Sequence, residues 1–304
     1  MIGLSTVWTS RDARSGVELL GPILDLGFDG VELEYRITRQ IYQEALPLIR
    51  KYAIQVLSIH NYFPVPDILP TELASGDCFS LSSLDHEERQ RGISYTTRTL
   101  ETAHNLEARA VVLHLGRVET PLPKNGLQRL YREEEWRDES EKLLQQEMEE
   151  RSRRRAPHLD ALLFSVEKLL KRAEQLRVAL GIENRYYFQE IPDKDEVRII
   201  LDHFRGGPIG YWHDTGHAAV FEHLGIGRHE ELLRLYAPYL IGVHLHDALG
   251  VEDHKPPGHG EIDFAMVKAY LPDEAIKIME IRPEATREEI LKGREYLKTK
   301  GIGN

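Results

Sequence analysis

The stretch LDALLFSVEKLLKRAEQLRVALGIENR, residues 159–185, holds one complete unit of the fold. Leu159, Leu162, Leu163, Val166, Leu169, Leu170, Ala173 and Leu176 recur every three or four residues, which lines them up on one face of a helix. The run that follows, 178–185, is short and apolar, and it ends in the charged sequence Glu183-Asn184-Arg185. A helix feeding straight into an apolar strand is half of a strand–helix–strand repeat, in which the strands run parallel.

The same unit recurs in both directions along the chain. Strand-like runs fall at 2–8, 30–35, 55–61, 110–116, 178–185, 209–214, 240–247 and 276–282. Helical patterns separate them at about 14–26, 39–52, 86–106, 195–204, 230–236, 264–270 and 287–298. Eight strand–helix units predict a closed (β/α)8 barrel, the TIM-barrel form of the α/β class. The glycine-rich phosphate loop that an open nucleotide-binding sheet carries after its first strand is missing here. No composition break divides residues 1–304, so they read as one domain.

Two segments interrupt the pattern. Residues 62–84 follow the third strand, rich in proline and serine, and read as a loop over the barrel mouth. Residues 117–157 follow the fourth strand and read as a charged helical insertion whose large apolar residues are Leu130, Trp136, Leu143, Leu144 and Met148. This insertion reads either as an arm packed on the barrel mouth or on a second copy of the chain, or as a largely solvated helix. Its basic run, Arg151 to Arg155, precedes Pro157 and reads as cations near the C-terminus of a helix.

A net charge of −11 argues against a nucleic-acid partner, since phosphate binding draws its affinity from basic surface. The single cysteine, Cys78, rules out an intrachain disulfide and fits a reducing, cytoplasmic setting. Neither a signal-peptide pattern nor an apolar run of membrane-spanning length is present, so no membrane association is expected.

Metal-binding side chains collect where the predicted strands end. They are His60 in SIHN, His114 in VVLHLG, Glu183 in GIENR, Asp214 and His217 in HDTGH, His244 in GVHLHD and Glu280 in IMEIRP, with Glu252, Asp253 and His254 in the following loop. Strand C-termini converge on one mouth of a barrel, and barrel enzymes work there. Taken singly, a strand-end histidine is ordinarily a hydrogen-bonded structural residue, and Asp214 alone can cap the next helix. Glu183 and Glu280 lie in apolar runs, where a carboxylate is costly without a cation or a proton. The repetition over six successive strands predicts a centre of mixed nitrogen and oxygen ligands suited to Zn²⁺ or Mn²⁺. Strand alternation puts Arg185 on the face of Glu183 and Arg282 on that of Glu280. With Arg117 they either hold an anionic substrate group or neutralise the acidic cluster. His213 and Asp247 have the opposite parity, whereas His246 shares that of His244 and can supplement it.

These motifs, with DHKPPGHGEID, resemble the xylose isomerase-like barrels, a superfamily spanning sugar and sugar-phosphate isomerases, epimerases and the AP endonuclease family 2 (endonuclease IV) enzymes. In the isomerase and epimerase branch the resemblance implies one metal held by Glu183, Asp214, His244 and Glu280, with Glu183 and Glu280 moving protons and His217 touching substrate. The endonuclease branch implies three zinc ions. His60 and His114 would join Glu183 at one, and His217, His254 and an acidic residue two positions earlier, here Glu252, would hold another. The leading expectation is therefore an isomerase or epimerase, dependent on one to three divalent ions, for a small anionic hydroxycarbonyl sugar. The alternatives are a multinuclear zinc phosphoesterase and a metal-binding barrel without catalysis.

Overall fold

The computed structural model describes residues 1–133 and 139–303; Trp136 lies outside them. Each of the predicted strand runs supplies one barrel strand: β1 (Gly3–Ser5), β2 (Gly30–Leu33), β3 (Gln55–His60), β4 (Ala110–Leu113), β5 (Ala179–Glu183), β6 (Ile209–Asp214), β7 (Leu240–Leu245) and, after a hairpin of β8 (Asp247–Leu249) and β9 (Glu252–Lys255), β10 (Ile276–Met279). They close in the order β1-β10-β7-β6-β5-β4-β3-β2, every pair parallel. The (β/α)8 barrel is therefore the fold. Most strands are shorter than their runs because pairing stops where the polar mouth begins.

The predicted helices form the outer ring: α2 (Gly16–Asp25), α3 (Arg39–Lys51), α4 (His86–Asn105), α7 (Lys194–His203), α9 (His229–Tyr236), α10 (Phe264–Tyr270) and α11 (Arg287–Thr299), besides the short α1 (Val7–Ser10) and α5 (Gly126–Arg132). Helix α8 (Thr215–His223) was not foreseen, because Thr215 to Val220 are all buried and leave no polar face to give it a period. Among the described residues no helix is long and apolar enough to cross a membrane.

The insertion differs from expectation. A single helix, α6 (Glu139–Leu176), runs for 38 residues straight through Pro157, so the basic run lies mid-helix rather than at a C-terminus. Arg151 is buried, and its guanidinium reaches Asp193 at 2.5 Å, Glu196 at 2.6 Å and the Glu190 carbonyl at 3.0 Å. Glu147 binds Gln189 from the same helix. The charged arm thus docks on the loop that follows β5 and fixes one wall of the mouth.

Inside the barrel, parity separates two layers. Val112, Gly181, Trp212, Gly242 and Ile278 form a floor, and the residue two positions further along each strand is His114, Glu183, Asp214, His244 or Glu280. The fully buried Trp212 fills this floor. It needs Gly242, since a Cβ there would stand 2.1 Å from its ring.

Candidate metal centre

Above Trp212, ligand atoms of Glu183, Asp214, His244 and Glu280 all lie within 4.8 Å of one another, and all four residues are buried. His244 Nδ1 is 2.7 Å from Glu183, 2.8 Å from Glu280 and 3.5 Å from Asp214. One ring N–H cannot serve three carboxylates. Burial works against the charge on Glu183, yet hydrogen bonds from His114, His244 and His60 hold its pKa well below the ordinary range. Burial likewise opposes the charge on Glu280 and Asp214, and neighbouring histidines outweigh it at both. His244 in turn is raised, because Glu280 and Glu32 overcome the cost of burying its cation. Protons shared among these groups are a partial substitute for the divalent charge that would satisfy all of them.

The free ring nitrogens show whether the histidines suit a metal. A ligating imidazole normally donates its other N–H to an oxygen outside the site. His60 Nδ1 meets the Asn61 carbonyl at 3.0 Å, His114 Nδ1 meets Asp77 at 3.1 Å, and His217 Nδ1 meets the Asn184 carbonyl at 3.0 Å. In each case Nε2 is left facing carboxylates: Glu183 at 3.8 Å for His60 and 3.0 Å for His114, Asp253 at 3.6 Å for His217. His244 is reversed, with Nε2 bonded to the buried Glu32 at 3.1 Å and Nδ1 turned to the carboxylates. The donor set therefore fits divalent ions, in the group of four and in two flanking groups, His60–His114–Glu183 and His217–Asp253–His254.

The second flanking group corrects the expected acid. Glu252 is exposed and pairs with Lys255, while Asp253 lies 3.6 Å from His217 and 3.1 Å from His254. Extended alternation would have put Glu252 and His254 on one face, but His254 has a left-handed backbone, φ 55°, which turns it back beside Asp253. His246 also has a different part from the one parity suggested. The His254 backbone N–H donates to its Nδ1 at 2.9 Å, so Nε2 carries the proton and donates to Asp214 at 2.9 Å. It orients Asp214, and it also belongs to a further candidate group, His246–His254–Glu280.

Of the three arginines, the structure brings one to the site. Arg185 is buried and reaches Glu183 at 3.0 Å, Glu190 at 3.3 Å and Asp77 at 3.4 Å. Its surroundings are carboxylates, the neutralising arrangement. Arg117 is exposed, with its carbonyl bonded to Ser82, and Arg282 is absent from the cavity lining; its backbone N–H donates to the His254 carbonyl. Both side chains sit past the point where their strands stop pairing, so alternation no longer directs them. The cavity at the mouth holds about 310 Å³, with Tyr35, Asp77, Arg185, Tyr186, Tyr187 and Glu190 in its wall above the ligand candidates.

Four residues the sequence reading passed over support the site. Glu32 receives Ser5 and Ser58 hydroxyls at 3.1 and 2.8 Å besides His244. A glutamate inside the apolar run GVEL was a legible signal. Asp77 arrives on the loop after β3, which does cover the mouth: a Cβ on Gly76 would stand 2.7 Å from His114. Glu190 and Lys124, 3.0 Å apart, close the rim from the β5 loop and the insertion. No local pattern announces the last three.

Behind β6 runs a buried relay. Asn184 pairs with the Asp214 backbone through both amide atoms, at 2.8 and 3.0 Å, and accepts the Tyr211 hydroxyl at 2.9 Å. Tyr211 meets His213 Nδ1 at 2.8 Å, and His213 Nε2 meets His229 Nε2 at 2.9 Å. Burial keeps both imidazoles neutral, His213 far below its ordinary pKa and His229 at about 4. His213 and Asp247 are both outside the ligand set, as their parity predicted; Asp247 accepts backbone N–H groups of Ala248, Gly258 and Ile262.

A closed parallel barrel with carboxylates and imidazoles ringed at its C-terminal mouth is a (β/α)8 barrel carrying groups that could hold a metal. The chain belongs to the xylose isomerase-like TIM barrel family, whose sequence model matches residues 21–300. Among solved structures it is similar to a D-tagatose 3-epimerase-like protein, with TM-score 0.70, 19% identity, and coverage of 98% of this chain and 96% of that one. It is also similar to a 3-keto-D-glucoside 4-epimerase from E. coli (TM-score 0.67, 15% identity, 98% of both chains). A D-psicose 3-epimerase from Clostridium cellulolyticum H10 matches with TM-score 0.68 and 14% identity over 98% of both chains. At these identities the likeness establishes a shared fold. No curated protein matches in sequence.

Proposed function

We propose that the chain is a metal-dependent isomerase or epimerase of a small sugar bearing a hydroxyl beside a carbonyl. One observation carries this reading: Glu183 and Glu280 both approach His244 Nδ1, at 2.7 and 2.8 Å, within a group of four buried ligand candidates. Two carboxylates flanking one small space can take a proton from one face of a carbon and return it on the other or to its neighbour. Glu183, Asp214, His244 and Glu280 would hold the ion, which when bound supplies polarisation of the carbonyl and hydroxyl oxygens. His217 borders the same cavity and would contact the sugar. Hydrogen bonds from His114, His244 and His60 outweigh burial and keep Glu183 ionised, with Arg185 3.0 Å away, so that this carboxylate serves as the base. The structural neighbours named as sugar epimerases support the same class of substrate.

The test is exchange of the substrate C–H proton with deuterated solvent over a panel of ketoses and sugar phosphates. Wild-type enzyme loaded with Mn²⁺ or Zn²⁺ is expected to exchange and isomerise. Glu183→Gln and Glu280→Gln are expected to lose roughly 10²–10⁴ of the rate. Normal turnover by either variant would refute the proton-transfer role.

A second reading has its own observation. The two flanking groups, His60–His114–Glu183 and His217–Asp253–His254, would complete a multinuclear phosphoesterase site. Metal analysis of the purified protein separates the two: about one tightly held ion per chain favours the isomerase, about three the phosphoesterase.

A further inference from the structure

Outside the mouth, a second cavity of about 280 Å³ lies between the loop after β5 and the segment joining α8 to α9. Phe188, Pro192, Phe221, Ile226 and Leu232 give it apolar walls, and Arg185 and His217 line both this cavity and the mouth. Helix α8 contributes to both walls. His217 and Phe221 are four residues apart and share one helix face, so the imidazole turned to Asp253 lies about 6 Å along the axis from the aromatic wall. Phe188, Phe221, Ile226 and Leu232 are only half-buried, leaving apolar surface in contact with water. An apolar concavity bordered by a few convergent polar groups is the usual form of a small-molecule subsite.

We propose that this cavity is a ring-binding subsite, which takes an apolar aromatic substituent of the substrate while the polar end sits at the mouth. The inference rests on the sugar reading for the polar end only. The substrate class it implies is a glycoside or ester with an aromatic group rather than a free monosaccharide. The volume accommodates a single or fused ring. Phe221 and the side of Phe188 away from Arg151 line the cavity for such a ring.

Titration calorimetry on the Mn²⁺-loaded protein tests it with three probes: phenyl β-D-glucopyranoside, methyl β-D-glucopyranoside and benzyl alcohol. The phenyl glycoside is expected to bind at least about tenfold more tightly than the methyl one, the gain from burying a ring. Phe221→Asp is expected to erase that ratio and to abolish benzyl alcohol binding, with metal content and circular dichroism unchanged. Ile226→Gln, on a loop, does the same should Phe221→Asp fail to fold. Equal affinity for the two glycosides, or a ratio that survives both variants, overturns the subsite and leaves the sugar reading standing. Benzyl alcohol binding that Phe221→Asp abolishes, with neither glycoside bound, supports the subsite and counts against the sugar.

Discussion

Glu32 and His244, 212 residues apart in the chain, meet at 3.1 Å beneath the candidate metal centre, and this bond decides which ring nitrogen faces the carboxylates. Both side chains are fully buried. Glu32 holds Nε2, so Nδ1 points at Glu183, Asp214 and Glu280. Because outer carboxylates of this kind orient the ligand, Glu32→Gln is expected to weaken metal affinity about 10–100-fold. Competition with a chelating dye measures it; unchanged affinity would mean that packing alone fixes the ring.

The acid beside His254 gives a comparison of neighbours. Under the multinuclear reading, Asp253→Asn is expected to remove an ion from the His217–His254 pair, or to weaken its hold by an order of magnitude or more, whereas Glu252→Gln leaves metal content alone. Elemental analysis of the two variants side by side decides it. Loss in Glu252→Gln with none in Asp253→Asn would put the ligand back at Glu252.

Acid stability follows from the relay behind β6. His229, with a folded pKa of about 4 against an ordinary 6.5, takes up protons more readily when the chain unfolds. Stability is therefore fully present above pH 6.5 and is lost as pH falls towards 4, by roughly 3 kcal/mol for this one group. His213, also depressed, acts in the same direction. Urea unfolding between pH 7 and 4.5 should show a steeper loss in wild type than in His229→Gln. Parallel curves would show that the relay plays no part.

Arg151 carries the insertion's grip on the mouth. With Glu196 fully buried and 2.6 Å away, Arg151→Met leaves a buried carboxylate without its partner, at an expected cost of about 3–5 kcal/mol. Adding Glu196→Gln should recover much of it. Urea midpoints of the single and double variants provide the cycle, and additive losses would show the pair to be uncoupled.

Local sequence determined the barrel. Periods of two and of three to four residues mark strands and helices, and the polar residues ending the apolar runs, Glu183, Asp214, His244 and Glu280 among them, mark the mouth; singling out those four is what the family resemblance implies. Those signals depend only on neighbours in the chain, so they reach as far as each strand stays regular. They fail at Arg282, past the last paired residue of its strand, and at His254, where a positive φ breaks the alternation. Tertiary structure alone decided the rest. Glu32 beneath His244, Asp77 on His114 and Arg151 in the wall are contacts between segments far apart in the chain. Which nitrogen of each imidazole faces inward depends on what its other nitrogen touches, and that is set by the closure of the barrel and the docking of its loops.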